Sequence, residues 1–120
     1  MKRNHILGMA CGYYLSRFDA EAYRSLGLGN QQETHRALAR ALSVPGRSIR
    51  NWRDEFDPIH DNDRMGWHKR EMAPSRVRMV ELLGGYSQVE LLALVEDAIR
   101  TPTGPAAVRF LDSSWGNDSD

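Results

Sequence analysis

Apolar residues recur with a helical period along almost the whole chain, and no stretch alternates Val, Ile and Thr as a half-buried strand would. That restricts the fold to helices packed on helices. The cap signals divide the chain. Residues 5–17 are the first expected helix. Asp19 is placed to cap a short second one, 20–26, which Gly27 ends. Asn30 with Glu33 three residues on reads as a capping box for a helix over 31–42. A turn of Ser43, Val44, Pro45 and Gly46 leads to a helix over 47–56, stopped at Asp57-Pro58 because the residue before proline avoids helical angles. A polar loop is expected over 59–73. Pro74 suits the first turn of a helix over 75–83, which Gly84-Gly85 close, and Ser87 with Glu90 boxes a last helix over 88–100. The expectation is an all-α, compact five- to six-helix domain over 1–100 containing a helix-turn-helix. A linker or flexible C-terminal tail, 101–120, would follow.

A length of 120 residues suits one domain, and 41% hydrophobic content is enough to fill one core. The single cysteine, Cys11, excludes a disulfide framework or thiolate zinc cluster within the chain and reads as a core thiol. No run of about 18 apolar residues is present, so no membrane span is expected. The start, Met1-Lys2-Arg3 followed by apolar and small residues, has the outline of a signal peptide. Its apolar run continues into the amphipathic pattern of Tyr13, Tyr14 and Leu15, which favours a core helix and a cytoplasmic protein.

The window from His35 to Asp54 carries the functional argument. Two helices crossing closely over a short turn need a small residue at their contact and apolar residues pointing from both helices, and from the turn, into one core. Leu38, Ala39, Leu42, Val44, Ile49 and Trp52 fall at those positions. The ninth position, commonly glycine because its backbone is left-handed, is Ser43.

Charge is segregated over the same window. The formal net charge is zero, yet from Thr34 to Arg53 no acidic residue interrupts Arg36, Arg40, Arg47, Arg50 and Arg53. An α-helix fits the major groove of a duplex, where arginine pairs bidentately with guanine and asparagine with adenine. Arg47, Arg50 and Asn51 are therefore the candidate base readers on a recognition helix over 47–56. Arg36, Arg40 and Arg53 are candidate phosphate contacts, and Ser48 is either a phosphate contact or a helix cap. A second basic cluster, Lys69, Arg70, Arg76 and Arg78 beside Trp67 and His68, is a candidate wing on the DNA backbone. The chain from Gln88 onward is acidic and is expected to face away from DNA.

Tyr14-Leu15-Ser16-Arg17-Phe18-Asp19, Arg53-Asp54-Glu55-Phe56-Asp57-Pro58, Gly66-Trp67 and Pro74-Ser75-Arg76 together resemble a small helical domain at the N-terminus of bacterial restriction-type proteins. In those proteins it precedes nuclease domains of the HNH kind or motor domains of modification-dependent systems. The resemblance covers roughly residues 6–100 and implies a DNA-recognition module used in defence, with an effector nuclease or motor domain as partner. The chain departs from that pattern by ending without an effector domain, as an excised fragment or a stand-alone module would. Nuclease activity is not carried over.

Two other readings use different residues. Asp54, Glu55, Asp57, His60, Asp61 and Asp63 could hold a divalent metal for phosphodiester cleavage. Helix stopping, turn formation and i, i+4 pairing of Arg50 with Asp54 and Arg53 with Asp57 explain them more simply, so no enzyme, metal or cofactor is expected. Alternatively, the scaffold is a protein-protein interaction or dimerisation module. The last helix carries Val89, Leu91, Leu92, Leu94, Val95, Ala98 and Ile99 on more than one face, and a homodimer would suit a two-fold DNA site.

Overall fold

All the regular elements among the described residues, 2–60, 72–101 and 104–115 in a computed structural model, are helical. They are α1 Arg3–Leu26, α2 Gln31–Leu42, α3 Ser48–Phe56, α4 Pro74–Leu83, α5 Gln88–Arg100 and α6 Pro105–Arg109. A 3₁₀ turn, Asp57–Ile59, extends α3, and a wide turn, Phe110–Trp115, extends α6. The all-α class expected from the apolar period is the observed one.

Local chemistry sets the boundaries. α1 breaks at Asp19, whose φ of 48° is left-handed, so the two expected helices form one kinked span. Both capping boxes close. The Glu33 amide donates to Asn30 Oδ1 at 2.8 Å and the Asn30 amide to Glu33 Oε1 at 2.9 Å. Ser87 and Glu90 repeat the exchange at 3.1 and 2.8 Å. α4 begins on Pro74, whose missing N–H costs nothing in a first turn.

α1 packs along α3 at unusually short range. A Cβ on Gly12 would stand 2.7 Å from Trp52 Cβ and 2.9 Å from the backbone nitrogen of Arg53, and one on Gly8 would overlap the edge of the Trp52 indole. Further along the same pair, Ser16 Oγ donates to Asp57 Oδ1 at 2.7 Å and shares a 2.7 Å hydrogen bond with His60 Nδ1. The order of these contacts makes α1 and α3 parallel. At the leading end, Asn4 Nδ2 donates to the carbonyls of Leu42 and Ser43, both at 3.1 Å, which caps α2 and holds the turn against α1. The core these helices share contains Met9, Tyr14, Leu15, Leu38, Leu42, Ile49, Phe56, Met79, Leu83 and Leu91, all fully buried.

Residues 104–115 depart from the tail expected over 101–120. Gly104 leads into α6, whose first amides, those of Ala106 and Ala107, each donate to Asp97 Oδ2 at 3.0 Å. Ala107, Phe110, Leu111 and Trp115 are buried. Apolar side chains on a helical spacing, anchored by one carboxylate of α5, make this stretch part of the core. The same packing bears on the apolar breadth of α5. Leu91, Leu94, Val95 and Ala98 are buried, Leu92 and Ile99 pack partly against the core, and Val89 stands 72% exposed. The surface expected for a dimer is thus largely occupied by the domain itself. Among the described residues no helix is long and apolar enough to cross a membrane.

The close approach predicts that Gly12→Ala lowers the melting temperature, because backbone rather than a movable side chain blocks the added methyl. The cost is about 1–3 kcal/mol. Gly46→Ala, where nothing lies within 4 Å, should melt like the parent. Equal melting curves for the two variants would contradict the contact. Burial also pushes the Cys11 thiol and the Tyr14 phenol up to about 12 from ordinary values of 9.0 and 10.0. The unfolded chain releases these protons first, so their stabilisation is complete below pH 9 and is lost as pH rises toward 12. Melting temperature should therefore decline from about pH 9 upward, and a curve flat to pH 11 would contradict this.

Candidate nucleic-acid interface

α2, the turn and α3 place the window residues on two sides. Leu38, Ala39, Leu42, Val44, Ile49 and Trp52 all point into the core, from 0% exposed at Leu38 and Ile49 to 8% at Val44. Ser43 takes the left-handed conformation that position requires, with φ 55° and ψ 45°. The turn is closed by the Val44 amide donating to the Ala39 carbonyl at 3.0 Å. On the outer side lies a groove of about 600 Å³ lined by Gln32, His35, Arg36, Gly46, Arg47, Arg50, Asn51 and Asp54. Arg36, Arg47, Arg50 and Asn51 are exposed there, and Arg40 is exposed one turn along α2 from Arg36. Ser48 is half-buried and is the first residue of α3; Arg47 occupies the cap position.

Arg53 belongs to the interior, not to the phosphate-binding set. It is 5% exposed. Nε and Nη2 donate to Asp54 Oδ1 at 3.1 and 2.9 Å, and Nη1 donates to Tyr23 Oη at 3.0 Å and Gln31 Oε1 at 3.2 Å. Tyr23 Oη in turn shares a 2.6 Å hydrogen bond with His35 Nε2. With four of its five N–H donors engaged inside the domain, this buried guanidinium is not presented to a phosphate. Asp54, expected to pair with Arg50 alone, bridges two arginines: its Oδ2 lies 3.9 Å from Arg50 Nε. Asp57, expected to pair with Arg53, accepts from Ser16.

The basic wing loses two members for similar reasons. Arg76 pairs with Glu55 through Nε and Nη2 and donates to Ser75 Oγ at 2.8 Å. Arg78 lies over the Trp115 ring, 4.6 Å from its centroid, where a cation is attracted to the π face. Both side chains are engaged with the domain. Lys69 and Arg70, with Trp67 and His68, lie outside the described residues.

The carboxylates considered for a metal are likewise dispersed. Glu55 serves Arg76, Asp54 the two arginines, and Asp57 and His60 both meet Ser16. Asp61 and Asp63 lie outside the described residues. Among the described residues no three His, Cys, Asp or Glu side chains gather as a metal-binding group.

Tyr23 and Gln32 carry no signal in the window, because Tyr23 arrives from α1 and Gln32 joins the groove from the first turn of α2. Compared with protein families, characterised proteins and solved structures, the chain matches none.

The Tyr23 hydroxyl links α1 to both helices of the groove. Tyr23→Phe should cost roughly 1–3 kcal/mol, since Arg53 and His35 each lose a buried partner. Thermal melting checks this, and an unchanged melting temperature would contradict the linkage.

Proposed function

We propose that the chain is a double-stranded DNA-binding module in which α2 and α3 act as a helix-turn-helix and α3 lies in the major groove. One observation carries the reading. The six apolar positions of the motif are buried together, while Arg36, Arg40, Arg47, Arg50 and Asn51 stand exposed on the other side of the same helix pair. Phosphates need cations that are free to leave water, and base edges need donors near the start of an inserted helix. Arg47, Arg50 and Asn51 would read bases, and Arg36 and Arg40 would hold the backbone. The resemblance to the helical domains of restriction-type proteins adds a setting: a targeting module acting for an effector nuclease or motor domain in defence.

Binding to a random duplex at two salt concentrations, followed by selection from a random pool with plain and modified cytosine, tests the reading. Arg36→Ala and Arg40→Ala should weaken all sequences alike and each reduce the salt slope by about 1. Arg50→Ala should relax preference at one base position, at a cost of about 1–3 kcal/mol. Arg50→Ala protein that binds every sequence as well as the parent would overturn the recognition-helix assignment.

A further inference from the structure

We infer that Asp54 is a specificity-determining residue that orients Arg50 to read guanine and restrains binding to unselected DNA; this rests on the DNA-binding reading above. The geometry of one carboxylate supports it. Oδ1 is held by two donors of the buried Arg53, at 3.1 and 2.9 Å, and Arg53 is itself tied to Tyr23 and Gln31. Asp54 is therefore fixed from inside the domain, with 21% of its side chain exposed. Among the described residues no hydrogen bond reaches Oδ2, which faces the groove and lies 3.9 Å from Nε of Arg50.

The identity of that nitrogen matters. A guanidinium approached by a carboxylate at Nε keeps Nη1 and Nη2 directed outward, and those two donors match O6 and N7 of guanine end-on. At 3.9 Å and 68% exposure the Arg50 pair is too loose to neutralise the arginine. It is close enough to tighten when water leaves a DNA interface, where charge-assisted bonds strengthen. The buried Arg53 thus supports an acidic group, and the acidic group aims an exposed arginine.

A second consequence has the opposite sign. Asp54 is the acidic residue lining the groove beside Arg36, Arg47 and Arg50. Its charge opposes phosphates wherever the protein sits on DNA, so it lowers affinity for sequences that offer Arg50 no guanine.

The test compares parent, Asp54→Asn, Arg50→Ala and the double variant on a selected duplex and on a random duplex, with melting curves for each. Asp54→Asn should bind random duplex more tightly than the parent. Its discrimination at the Arg50 base position should fall by about tenfold, the scale of one bidentate base pair. In the Arg50→Ala background the same change should leave discrimination unaltered, because the group it orients is gone. Asp54→Glu keeps the charge against Arg53 but displaces the carboxylate; if Asp54→Asn does not fold, it tests the orienting role through the same loss of discrimination, with binding to random duplex unchanged. Unchanged discrimination, or equal loss on both duplexes, overturns the role of Asp54. A parent that binds no duplex overturns the DNA reading itself, and that result is seen before any variant is compared.

Discussion

The rest of the domain depends on the closeness with which α1 lies against α3. Two glycines one helical turn apart, Gly8 and Gly12, let the Trp52 side chain and the α3 backbone come within reach of α1. This contact fixes more than distance. With Trp52 seated on the glycines, α3 has one rotation, in which Ile49, Trp52, Arg53 and Phe56 face inward and Arg47, Arg50, Asn51 and Asp54 line the outer groove. Ser16 bonded to Asp57 and Asn4 bonded to the end of α2 lock the two ends of the same arrangement.

That rotation gives two arginines three residues apart opposite roles. Arg50 projects into solvent, 68% of its side chain exposed, whereas Arg53 has 6% exposed and is surrounded by acceptors. Burying a guanidinium is costly unless its donors are matched, and here Asp54, Tyr23 and Gln31 match them. The run from Arg53 to Pro58 is therefore largely architectural: Arg53 ties α3 to α1 and α2, Glu55 holds Arg76 of α4, Phe56 fills the core and Asp57 accepts a hydrogen bond from Ser16.

Much of this was legible where the determinants are local. The boxes at Asn30 and Glu33 and at Ser87 and Glu90 and the break at Asp19 each depend on neighbours a few residues away, and each appears where the sequence places it. The stop at Asp57-Pro58 is softer than expected: Asp57 keeps helical angles, φ −54° and ψ −37°, and the chain turns on as a 3₁₀ segment to Ile59 because Pro58 sits in its first turn, where no N–H is needed. The inward set of the window was legible too, because its period is set by helix geometry. Long-range partners were not. Gly8 and Gly12 resemble small residues of any apolar stretch until Trp52 is seen against them. Arg53 reads like its neighbouring arginines until Tyr23 arrives from another helix. Arg76 and Arg78 look like free cations until Glu55 and Trp115 meet them. Residues 104–115 resemble a linker because glycine, proline and aspartate surround their apolar side chains, and only the Asp97 carboxylate beneath α6 gives that segment a place.

The central claim is that one face, built from the outer sides of α2 and α3, meets a duplex. Amide chemical-shift mapping during titration with a random-sequence duplex at low salt tests it most directly. The account predicts that perturbations gather at Gln32, Arg36, Arg40 and residues 46–51 and fade as salt is raised. Perturbations gathered on α5 and α6, or none at all, would contradict it.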